Sequence, residues 1–214
     1  MSHSQFALLR ERRFLPFFVT QGLGAFNDNV YRAVLVLLAT YQATRWTHLD
    51  PVIVTNLAGG LFILPFLLFS GLAGQLADRY DKVSVMRAVK LAEIGIMAVA
   101  AVGLALTSLP LLLAAIFLLG MHSTFFAPAK YAYLPQVLAE SELIGGNALL
   151  EAATFLMILL GMLVGGVLVA DGESRRAIYV LLGAALLGWL ASRAIPSLTP
   201  TDPALRIDRN LWRS

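Results

Sequence analysis

The stretch GAFNDNVYRAVL, residues 24–35, decides what solvent the chain is built for. FLPFFVTQGL runs before it and VLLATY after it. In water, Asn27, Asp28, Asn29 and Arg32 would mark a loop between apolar elements. Inside a bilayer, the same residues mark a polar cluster whose insertion is unfavourable and which function usually explains.

Composition chooses the bilayer. Hydrophobic residues make up 58% of the 214, charged residues 14%, and mean hydropathy is +0.76. Soluble domains carry about 25% charged residues, and none of this length could bury so much apolar surface. The apolar runs last ~20 residues or more, the length of a helix crossing the hydrocarbon core, and they lack the alternation of a transmembrane β-barrel. With no Cys there is no disulfide or thiolate metal site.

Six spans follow from the pattern: 14–41, 52–77, 84–106, 109–130, 143–170 and 176–195. Connections as short as TSLP (107–110) predict that consecutive helices lie beside each other. Residues 1–13 read as a cytoplasmic segment. Residues 196–214, with Pro196, Pro200 and Pro203, read as a cytoplasmic linker, with a short surface helix near Trp212. Arg10, Arg12 and Arg13 resemble the basic start of a signal peptide, but the apolar run after them is too long for one.

Lys and Arg set the orientation. One set of ends collects twelve, including Arg10, Arg12, Arg13, Arg79, Lys82, Arg87, Lys90, Lys130 and Arg193, with Arg206, Arg209 and Arg213 in the tail; the other set has three, Arg45, Arg175 and Arg176. Both termini are therefore expected in the cytoplasm. GQLAD (74–78) closes the second span and GVLVAD (166–171) the fifth, on opposite faces, as a 3+3 inverted repeat predicts.

The junction GQLADRYDKVSVMRAVK (74–90) combines Gly74, which permits close backbone approach, with Asp78, suited to a helix N-terminus or a basic partner. Arg79 and Lys82 hold the turn at the surface. Taken as charges alone, it is a solvated loop. In its order of residues, Gly74, Leu76, Ala77, Asp78 and Arg79 resemble the signature between the second and third helices of the major facilitator superfamily. It departs at Asp81, where Gly is usual, and at Val83, where a second basic residue is usual. FNDN (26–29), PAKY (128–131) and the NALLEA run (147–152) with its continuation to Asp171 together resemble the bacterial lysophospholipid transporters. They are most similar to versions fused to an acyltransferase and an acyl-activating domain.

That resemblance implies a multi-pass protein of the bacterial inner membrane that flips lysophospholipids such as lysophosphatidylethanolamine inward for re-acylation. This chain would be the N-terminal half, an all-α bundle of six transmembrane helices, with a C-terminal six-helix half completing it. The alternatives are a proton-coupled drug or metabolite antiporter of the same fold, and a membrane anchor for a lipid-modifying acyltransferase. Gly166 stands after Gly165 where antiporters of this superfamily usually have Pro. No enzyme motif, cofactor site or nucleic-acid-binding pattern is present in the sequence.

The candidate substrate- or ion-binding residues are Asp28, Asn29, Arg32, Asn27, Glu151 and Lys130. Asp28 and Arg32 are four apart, so they share a helix face and are expected to pair. Lys130 reads as a cytoplasmic-end residue that PAKY draws into the cavity, against a snorkelling anchor otherwise. Glu93 and His122 stand as either functional groups or packing partners. Gly74, Asp78, Arg79 and Lys82 form the loop signature. Gly161 and Gly165 present a small-residue face for helix packing.

Overall fold

The computed structural model describes residues 5–42, 46–47, 49–171, 174–205 and 207. His3, Arg45, His48, Arg206, Arg209, Trp212 and Arg213 lie outside them. Among the described residues the regular structure is helical. A 3-10 helix, Gln5–Arg10, precedes six long helices: α1 Leu15–Tyr41, α2 Pro51–Arg79, α3 Lys82–Ala105, α4 Leu109–Val137, α5 Glu140–Val169 and α6 Arg175–Arg193. Five of these, α2 to α6, are long and apolar enough to cross a membrane. The other, α1, is 27 residues long and carries the FNDN cluster.

Local chemistry sets the starts. Proline opens α1, α2 and α4 within the first turn, where its missing N–H costs nothing. The Asp50 carboxylate caps α2 by accepting from the N–H of Val52 at 2.7 Å. Asp81 caps α3, accepting from Val83 and Ser84. Asp78, read as suited to a helix N-terminus or a basic partner, lies inside the last turn of α2, and the residue that caps α3 is Asp81.

The largest departure in length is α4. It continues through Pro128 and Pro135 to Val137, so PAKY and Lys130 lie within the helix, not after its end. Proline inside a helix bends it, and neighbouring helices in a bundle re-satisfy the freed carbonyls.

The expected pairing of consecutive helices is mostly absent. α1 packs chiefly against α5 and α6, α2 against α4, and α3 against α4 and α6, while α1–α2, α2–α3, α4–α5 and α5–α6 touch lightly. Small residues permit the closest approaches. A Cβ on Gly161 would lie 2.5 Å from the Phe26 carbonyl of α1, and one on Gly165 would lie 2.7 Å from the Ala33 Cβ. Gly120 does the same for α4 on α2, with the Phe62 carbonyl at 2.2 Å from a built Cβ. Gly74, read as a close-approach position, has nothing within 4 Å of its built Cβ.

Outward faces stay apolar: Leu67 of α2 is 75% exposed and Phe155 of α5 is 70% exposed. Hydrocarbon or a further bundle suits such a surface, and water does not. Near the α1 start, Arg13 makes a bidentate pair with Glu142 at 2.8 and 2.9 Å. The hydrogen bonds of Glu142, then of Glu11, hold its guanidinium charged well above the ordinary range. Tyr133 donates to the Arg13 carbonyl, so α1, α4 and α5 are tied together at that end.

Candidate functional site: a charged cavity among α1, α4 and α5

Successive residues of a helix point about 100° apart, and the FNDN cluster uses that fan. Asn27 is fully buried and donates to Glu93 Oε1 of α3 at 2.8 Å. Asp28 turns toward α4, where its Oδ2 accepts from the Ser123 hydroxyl at 3.2 Å. Asn29 returns its amide to the Ala25 carbonyl of its own helix. Arg32, one turn on, is exposed, with its guanidinium 4.6 Å from the centre of the Phe62 ring on α2.

The expected Asp28–Arg32 pair is therefore not formed. Spacing put the two on one face, but the long Arg32 side chain reaches outward to an aromatic ring, whereas the short carboxylate meets the Ser123 hydroxyl.

Asp28 and Asn29 line a cavity of about 240 Å³ whose wall is shared by α1, α4 and α5, with Phe66 of α2 and Lys90 of α3. Lys130, His122, Ser123 and Tyr131 of α4 face it, as do Gln21 of α1 and Thr154 of α5. The Gln21 amide donates to the Thr154 hydroxyl at 3.2 Å across the α1–α5 seam. Lys130 Nζ lies 3.1 Å from Glu151 Oε1 and 4.8 Å from the centre of the Tyr131 ring. The Lys130 side chain is 9% exposed against 42% for Glu151. Lys130 is thus no snorkelling end residue.

Lys90 and His122 of that wall meet Glu93 in a group whose members the sequence scattered. Glu93 is fully buried and ion-paired to Lys90, three residues earlier. His122 Nε2 lies 3.3 Å from Glu93 Oε2 without the alignment of a hydrogen bond. Lys90 was counted among the cytoplasmic ends, yet it is 1% exposed. The available signal was the Lys90–Glu93 spacing, a helix-face pair. A buried pair of this kind balances desolvation against attraction only when both partners are present.

The loop signature lies elsewhere. Gly74, Asp78, Arg79 and Lys82 do not line the cavity. Arg79 sits beside the Tyr80 ring. Lys82 is buried and donates to the Thr201 hydroxyl. The tail returns over this turn: the Leu198 N–H donates to Asp81 and the Asp202 N–H to the Asp78 carbonyl. No group of three or more His, Asp or Glu residues is placed to hold a metal among the described residues.

Known proteins resemble the chain over most of its length. The sequence profile of the Major Facilitator Superfamily matches residues 17–212. A protein named "Lysophospholipid transporter LplT" from Salmonella heidelberg is 33% identical over 191 residues, which is 88% of this chain and 44% of that protein. Proteins of the same name from Salmonella newport and Salmonella agona are 32% identical over the same length. The chain thus spans less than half the length of these relatives.

Proposed function

The chain belongs to the major facilitator superfamily, and from that membership we propose that it is the N-terminal half of a lysophospholipid transporter of the bacterial inner membrane. The carrying observation is the cavity wall, which sets a carboxylate, Asp28, and an ammonium, Lys130, into a largely apolar enclosure. A phosphoethanolamine head group has the complementary charges. Its ammonium would meet Asp28. Its phosphate would take Lys130 from Glu151, as Arg32 faces away. The acyl chain would lie along exposed apolar helix surface, and Asn29 and Gln21 would add neutral hydrogen bonds. The similarity to proteins named as lysophospholipid transporters supports the same substrate class.

The helix pairing supports the 3+3 inverted repeat. Exchanging α1 with α4, α2 with α5 and α3 with α6 turns the α1–α5 contact into α4–α2 and the α1–α6 contact into α4–α3, and both are strong. Residues 14–195 would then form one six-helix transport unit, with 1–13 and 196–214 in the cytoplasm. A second such unit would close the cavity at the midplane. Lipid delivered inward would be re-acylated by an acyltransferase with an acyl-activating domain, fused or separate.

The test is flipping of labelled lysophosphatidylethanolamine by the full-length protein in proteoliposomes. Inward movement above protein-free vesicles is expected, with loss of it in Asp28→Asn. Absence of movement, with a drug or metabolite transported instead, would sink the reading.

A further inference from the structure

The cavity wall holds two ammonium groups, Lys90 and Lys130, and one carboxylate, Asp28. Glu93 answers Lys90 and Glu151 answers Lys130, and neither of those two carboxylates lines the cavity. The phospholipid reading uses Lys130 and Asp28 and leaves Lys90 without a task. An ammonium buried at membrane depth is a functional-site candidate by default.

Two glycines bring Lys90 to the cavity. Its side chain leaves α3 and passes between α1 and α6. A Cβ on Gly188 of α6 would lie 2.9 Å from Lys90 Cε, and one on Gly24 of α1 would lie 3.2 Å from Lys90 Nζ. Gly24 itself lines the cavity, so its missing side chain leaves the ammonium at the wall instead of behind it. The ammonium also has donors to spare. It carries three N–H bonds, and its hydrogen-bond partner among the described residues is Glu93 alone. Glu93 is engaged on both sides, since its other oxygen accepts from Asn27 at 2.8 Å, and so holds Lys90 in place.

Depth fits the same use. At about 1.5 Å per residue, Lys90 lies about 12 Å from the start of α3 and Lys130 about 10 Å from the end of α4, two helix ends on one side of the bundle. Asp28 lies deeper, about 20 Å from the start of α1 on that same side. A phosphodiester has two unesterified oxygens that share one negative charge, so it accepts charge-assisted hydrogen bonds from two ammonium groups at once.

We propose that Lys90 is a second phosphate-binding residue of the cavity: Lys90 and Lys130 each take one unesterified phosphate oxygen, and Asp28 takes the ammonium beyond them. Gly24 and Gly188 are the positioning residues that keep Lys90 at the wall. The assignment rests on the phospholipid reading above.

The experiment uses two single-headed amphiphiles, dodecyl phosphate and dodecylammonium, as competitors of labelled lysophosphatidylethanolamine bound to the full-length protein in nanodiscs. Lys90→Met combined with Glu93→Gln removes both charges of the pair, so neither is left buried alone. It should weaken dodecyl phosphate about tenfold or more, as loss of a hydrogen bond to a charged group does, and leave dodecylammonium unchanged. Gly24→Ala keeps both charges and should show the same split to a smaller extent. Equal weakening of both amphiphiles, which a merely structural role would give, or unchanged affinity for dodecyl phosphate, overturns the assignment and leaves the phospholipid reading standing. Failure of the unaltered protein to bind the lysolipid or either amphiphile overturns that reading, and the assignment falls with it. Where the variants fail to fold, cryo-electron microscopy of the unaltered full-length protein with lysophosphatidylethanolamine decides. Phosphate within hydrogen-bond distance of both Lys90 and Lys130 upholds the assignment; phosphate on Lys130 alone overturns it.

Discussion

Arg32 and Lys130 are both cations in apolar helices, yet only Lys130 faces the cavity. Substitution should separate them. Lys130→Ala is expected to reduce lysophospholipid uptake about 10- to 100-fold, since a hydrogen bond to a charged group contributes roughly 1.5–3 kcal/mol. Arg32→Ala should leave most uptake intact, because the guanidinium is exposed over Phe62. Uptake rates at matched expression check both, and a reversed order would assign the phosphate to Arg32 instead. Asp28 was legible as a candidate because a carboxylate amid apolar residues needs a reason. Its partner was not legible, because spacing of four supplies proximity without saying which way a long side chain turns. Glu93 and His122 were visible singly. Their meeting depends on how α3 lies against α4, which no local pattern in either helix encodes.

Between helices, the glycines differ in what surrounds them. Gly161→Ala and Gly165→Ala push a Cβ into α1 and should each destabilise the bundle by about 1–3 kcal/mol through overpacking. Gly183→Ala of α6, whose Cβ meets nothing within 4 Å, should be neutral or stabilise by up to about 1 kcal/mol from helix propensity. Thermal unfolding of the purified variants distinguishes the two groups. At the α3 start, Asp81→Ala removes the cap and the bond to Leu198, for a loss of about 1 kcal/mol and earlier proteolysis of the tail. The sequence marked most helix ends within a few residues, since caps and prolines act locally. It missed the extension of α4 to Val137, because proline stops a helix in water more firmly than in a bundle that re-satisfies its carbonyls. Gly120 went unremarked because a lone glycine acquires meaning only from the backbone opposite it.

For the whole molecule, orientation rests on charge asymmetry. Removing buried Lys90 and Lys130 from the cytoplasmic count leaves ten basic residues against three, still ample for the positive-inside rule. The absence of native Cys in the chain makes this directly testable. Leu49→Cys and Ser174→Cys should react with an impermeant thiol reagent from outside, and Tyr80→Cys should not. The opposite labelling would invert the bundle. Membership of a helical membrane superfamily was readable from the loop signature and the hydropathy. The pairing of helices was not, since short connections fix which elements are consecutive but leave open which ones pack.

That pairing also sets a clock for biosynthesis. The chief partners of α1 are α5 and α6, and α5 begins at Glu140, about 100 residues after α1 ends. At the roughly 5–20 residues per second of synthesis, ~5–20 s separate the two. Early in that interval α1 waits with Asn27 and Asp28 unmatched, until Glu93 of α3 and Ser123 of α4 are made, and through all of it α1 lacks the helices it chiefly packs against. Such a helix is expected to stay beside the insertion machinery until its packing partners emerge. Photocrosslinks from position 28 to that machinery should therefore persist in nascent chains stopped before residue 140 and vanish once α5 has entered the membrane.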